Sequence, residues 1–109
     1  MKIRVRDRAA FQPDRMARVG LSTTDRTQLD LYCLEPGQAQ KPHTHEGQDK
    51  IYLVLEGRGR FTLGAAEEAV EAGEAVVAPA GTPHGVANDS GTPLLVLVVV
   101  SPPPPHVGR

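Results

Sequence analysis

The sequence predicts an all-β protein, folded as an antiparallel sandwich or jelly-roll barrel. Three observations carry that expectation. Short apolar segments rich in β-branched residues recur at regular spacing. Several of them alternate in the two-residue period of a half-buried strand. Eleven glycines and ten prolines in 109 residues fall mostly between these segments, where they act as turns.

Lys2–Arg6 alternates, with Ile3 and Val5 on one face, and reads as a charged edge strand. Asp14–Val19 reads as one helical turn. Gln28–Leu34 alternates again, placing Leu29, Leu31 and Cys33 on one face, where Cys33 lines the barrel or the core. Ile51–Leu55 is a continuous apolar strand closed by Glu56-Gly57, and Arg60–Leu63 is a short strand. Ala65–Ala72 has helix-like composition, but its eight residues lie between two glycines, so a hairpin and strand are expected. Ala75–Ala78 and Leu94–Val100 are strands. Tyr52 and Phe61 are expected in the core. Residues 1–101 make one domain. The tail 102–109, which contains four successive prolines and His106, cannot continue a sheet.

Bulk properties exclude several classes. With 39% hydrophobic and 23% charged residues, the composition is globular. A net charge of −1 and the absence of a basic stripe argue against nucleic acid as a partner. The longest apolar run, Leu94–Val100, is far short of the roughly 20 residues that cross a bilayer. No signal peptide is evident, and the single cysteine excludes an internal disulfide, so a cytoplasmic protein is expected. Leu94–Val100 is apolar on both faces and Ile51–Leu55 nearly so. Their outward faces need cover, and a homodimer is the expected cover.

Chemistry concentrates in two places. In Pro42-His43-Thr44-His45 the two imidazoles point the same way on a strand, close enough to share one metal ion. In Pro79-Ala80-Gly81-Thr82-Pro83-His84 a rigid turn delivers His84 to the start of a new strand. Each alone is a weak signal.

Together they resemble the two signature motifs of the cupin superfamily. Gly37, His43, His45 and Gly57 fall where the first motif (37–57) has them, and Gly73, Pro79, Gly81, His84 and Asn88 where the second (73–88) has them. The resemblance implies a single double-stranded β-helix barrel with one divalent metal (Zn, Fe, Mn, Ni or Cu) held by His43, His45 and His84. The family's usual carboxylate ligand stands seven residues before the closing glycine. Here that residue is Lys50. An ammonium about 5 Å from a dication would cost roughly 7 kcal/mol at an effective dielectric near 20. Lys50 is therefore expected to turn away, contact substrate at the rim, or lose its proton. Gln48 shares its strand face and is the first candidate for the remaining ligand. Asp49 replaces it if a bulge shifts the register, and water completes a three-histidine site otherwise. The resemblance implies a small-molecule enzyme of dioxygenase, isomerase, cyclase or lyase type. The alternative is a non-catalytic module binding a sugar or an organic acid.

Overall fold

The computed structural model describes residues 1–104, so the expectations for the end of the tail, His106 included, lie outside the described residues. Among the described residues nine strands build two antiparallel sheets: β1 (Ala17–Thr23), β2 (Gln28–Leu34), β3 (Ala39–His43), β4 (Asp49–Glu56), β5 (Arg58–Leu63), β6 (Ala66–Glu71), β7 (Ala75–Ala78), β8 (His84–Ala87) and β9 (Leu94–Ser101). The larger sheet runs β1-β2-β9-β4-β7 and the smaller β3-β8-β5-β6. No α-helix occurs among the described residues.

Alternation decides what fills the space between the sheets. Tyr32 and Leu34 of β2, Tyr52 and Val54 of β4, Phe61 of β5, Val86 of β8 and Val96, Val98 and Val100 of β9 form one buried cluster. Val96 pairs with both Val54 and Tyr32, and Val98 with both Tyr52 and Asp30, so inward side chains line up in rows across the sheet. Tyr52 and Phe61 are fully buried, as expected.

Two expectations are corrected and a third is narrowed. The face of β2 bearing Leu31 and Cys33 points out of the barrel. It is buried with Ala17, Leu21 and Leu95 in a second cluster, against which Ile3, Val5 and Ala9 pack. Cys33 is therefore a core residue, as expected, but of this outer cluster rather than of the barrel interior. Lys2–Arg6 is not a strand: the chain makes a single 3-10 turn at Val5–Arg8. Its apolar residues are used as a cover for that outer face, and Arg6 fixes the segment by donating to the Glu56 carboxylate (3.1 Å) and the Leu55 carbonyl (3.2 Å). Asp14–Val19 is not a helical turn, because Ala17, Val19 and Leu21 alternate and sit on the outer cluster of the sheet as β1. That alternation turns Arg18, the cross-strand partner of Tyr32, to the inner side.

The cover is incomplete. The outward row Val77-Ile51-Val99-Leu29 crosses four strands, and its edge is open to solvent, with Val77 57% and Ile51 38% exposed.

Candidate metal centre and its cavity

His43 and His84 are direct cross-strand partners on β3 and β8, and His45 follows two residues beyond β3. The pairing depends on Gly85. A Cβ there would lie 2.8 Å from the Gln40 carbonyl oxygen and 2.9 Å from Pro42, so only glycine lets β3 cross this close. The turn before β8 is built around Gly81, whose φ of +82° suits glycine, and whose N–H donates to the His45 carbonyl (2.9 Å). Asp49 closes the same corner by accepting from the Ala80 N–H at 2.9 Å. One corner thus ties the His45 segment to the turn that delivers His84.

The three rings converge. Centroids of His43 lie 4.7 Å from His45 and 4.5 Å from His84, with 5.6 Å between His45 and His84. One nitrogen from each falls within 4.8 Å of the others. His43 Nδ1 meets the Lys41 carbonyl at 2.9 Å and His84 Nδ1 meets the Thr82 carbonyl at 3.0 Å. A carbonyl only accepts, so each Nδ1 carries the hydrogen, which in a neutral imidazole leaves the lone pair on Nε2. His84 is 1% exposed and its Nε2 has no hydrogen-bond partner. Burial lowers the pKa of His84 and of His45, with neighbouring positive charges adding to the effect in both. Three converging imidazoles, two of them anchored through Nδ1 to backbone carbonyls, are a donor set that suits a divalent transition metal. These residues fit the ion, and His43, His45 and His84 would hold it.

Gln48 lines the same cavity as His43 and His45, while Asp49 is exposed and engaged with the turn. Lys50 faces inward, only 4% exposed, and its ammonium donates to the Tyr32 hydroxyl at 2.9 Å. Burial, reinforced by Arg18 and opposed by Asp30, pushes its pKa down to about 8. The Tyr32 hydroxyl accepts a second bond from the Gln40 amide (3.4 Å), and Gln40 accepts from the Tyr52 hydroxyl (3.1 Å). Burial raises the pKa of both tyrosines, so both are phenols at neutral pH. The Arg18 guanidinium lies 5.2 Å over the Tyr32 ring.

Arg18, Tyr32, His43, His45, Gln48 and Lys50 line a cavity of about 250 Å³ together with Gln28, Asp30, Val100 and Pro104. His43 and His84 belong to the smaller sheet. Arg18, Tyr32 and Lys50 all belong to the larger one. Sequence reasoning named the histidines, Gln48 and Lys50, and did not name Arg18 and Tyr32, which line the same cavity. The alternation Ala17, Val19, Leu21 was the signal that would have revealed Arg18.

Comparison with known proteins agrees with this architecture. TT1209 from Thermus thermophilus has a crystal structure that superposes with a TM-score of 0.92 at 46% identity, covering 95% of this chain and 100% of that one. An uncharacterized protein of Streptomyces coelicolor is 43% identical over 77 residues, 69% of this chain and 70% of its own. A protein of Thermotoga maritima named oxalate-binding protein is 33% identical over 67 residues, 62% of this chain and 55% of its own. The sequence profile described as the Cupin domain matches residues 30–100. With its two-sheet barrel, its paired motifs and this match over more than half its length, the chain belongs to the cupin domain family.

Proposed function

We propose that this protein is a metal-dependent cupin enzyme acting on a small molecule in the open end of its barrel. The observation that carries the reading is the buried, unpartnered Nε2 of His84, which faces the same space as two further imidazoles. A divalent ion bound there supplies Lewis acidity, polarising a substrate oxygen or lowering the pKa of water. The chain supplies the rest. Tyr32 and Lys50 present hydrogen-bond donors to the cavity, and Gln40 and Tyr52 hold the Tyr32 hydroxyl in place. Three imidazole ligands and no carboxylate ligand would leave the charge of the ion uncompensated by the residues that hold it. That favours isomerase, cyclase or lyase chemistry over oxygen activation.

A second reading is a non-catalytic module that binds a small acid. The name of the Thermotoga maritima relative supports it. The deciding experiment starts with metal analysis of protein purified without added metal. Turnover of keto acids, enols and diols is then followed by NMR, with oxygen consumption measured in parallel. Stoichiometric metal with turnover supports the enzyme. Metal with ligand binding and no turnover supports the module. Protein that takes up no metal refutes the metal-dependent enzyme.

A further inference from the structure

We infer that the ligand of this cavity is a short organic acid, whose carboxylate is received by Arg18, Lys50 and Tyr32 while a second oxygen reaches the histidine side. The inference rests on the reading of the cavity as a metal-containing small-molecule site, and names its ligand class.

The first support is charge. Arg18 and Lys50 both line the cavity, and neither forms an ion pair among the described residues, where the only two salt bridges are Arg6–Glu56 and Arg60–Asp89. Asp30 is the one carboxylate in the lining, and it accepts from Gln28 (2.7 Å). Two cations against one carboxylate leave the lining positive before any metal is bound. A buried ammonium without a counter-ion is costly, and an anionic ligand removes that cost.

The second support is hydrogen-bond parity. The Tyr32 oxygen already accepts from Lys50 and from Gln40. Its own hydrogen has no acceptor among the described residues. The ammonium spends one of its three hydrogens on Tyr32. Donors therefore exceed acceptors on this wall. A carboxylate offers only acceptors, and a planar one matches the guanidinium fork of Arg18.

The third support is size and layout. The cavity of about 250 Å³ corresponds to roughly eight water volumes at ~30 Å³ each, which suits a ligand of a few carbons. The cationic wall lies on the larger sheet and the histidines on the smaller, so a ligand between them needs oxygen at both ends. Short dicarboxylates, 2-oxo acids and 2-hydroxy acids meet that requirement.

The test is isothermal titration calorimetry on protein as purified and after reconstitution with Zn²⁺, with metal content measured before and after each titration. Oxalate, pyruvate and glycolate are compared with oxamide, pyruvamide and inorganic phosphate. At least one of the acids should bind tenfold or more tightly than its amide. Arg18→Gln and Lys50→Gln should each weaken that acid at least tenfold with metal content unchanged, and Arg18→Lys should recover part of the loss. Arg18 is exposed, so its variants test the idea even if Lys50→Gln folds poorly. Amides binding as well as acids, or Arg18→Gln binding like the wild type, would overturn the inference. Phosphate displacing every organic acid would overturn it as well. If the wild type takes up no metal but still binds an acid in an Arg18-dependent way, the metal reading fails and the anion wall stands.

Discussion

Replacing Lys50 with methionine should stabilise the metal-free protein. The shift of its pKa from 10.5 to about 8 is a free-energy difference of about 3 kcal/mol between charged and neutral forms in the fold, at ~1.36 kcal/mol per pH unit. At 4% exposure little solvent screening reduces it. The substitution also removes a hydrogen bond from Tyr32, which retains the longer one from Gln40; that loss is about 1 kcal/mol. The net gain at pH 7 is then about 2 kcal/mol, or roughly 8 °C in Tm for a domain of this size. The sign has a pH signature. The unfolded chain holds the lysine proton up to its ordinary pKa, while the folded chain releases it from about pH 8. Wild-type stability therefore rises between pH 8 and 10.5, and the penalty falls to under ~1 kcal/mol at pH 10. The methionine variant lacks this rise, so its advantage should vanish near pH 10. Urea unfolding of chelator-treated protein, followed by far-UV circular dichroism at pH 7 and pH 10, measures both. A variant less stable than wild type at pH 7, or one with an advantage independent of pH, would refute the reasoning.

Further outcomes are expected. His84→Ala should cost metal affinity by more than about a hundredfold, since even outer-shell changes cost ~10–100-fold, and equilibrium dialysis reads it. Acidification should release the metal as the imidazoles protonate. Burial holds His45 and His84 below 6.5, so the unfolded chain protonates first, and the stability they contribute to the metal-free fold, complete above pH 6.5, is lost as pH falls through the depressed values. Gln48→Ala should weaken metal binding several-fold while Asp49→Ala leaves it nearly intact and lowers stability by about 1 kcal/mol through the lost bond to Ala80; a reversed ranking in dialysis would make Asp49 the ligand. Light scattering should give a homodimer that buries the Val77-Ile51 edge, and Ile51→Glu/Val77→Lys should reduce it to the 11.7 kDa chain; a wild-type monomer would refute this.

What could be read from the sequence was whatever depends on neighbouring residues. The alternation of Gln28–Leu34 and the β-branched run Leu94–Val100 gave β2 and β9 almost to the residue. The glycines at 64 and 73 correctly argued against a helix at β6. The histidines were legible because their spacing and the intervening turn are local. Arg18 was not, because Pro13-Asp14-Arg15 imitates a helix start and its partner Tyr32 is met only across the sheet. The outward direction of Cys33 was likewise hidden. Alternation separates two faces without saying which one meets the other sheet, and the N-terminal segment that buries Cys33 lies more than twenty residues away.

The division of the cavity between the sheets makes the site modular. The imidazoles of β3 and β8 answer to one set of backbone constraints, Gly85 and the turn at Gly81 foremost. The cationic wall answers to another, set by β1, β2 and β4. A substitution at position 18, 32 or 50 thus leaves the backbone that positions the imidazoles in place, and reaches them only through its charge. The wall and the imidazole cluster can therefore be altered separately, one through the side chains of the larger sheet and the other through the turns of the smaller.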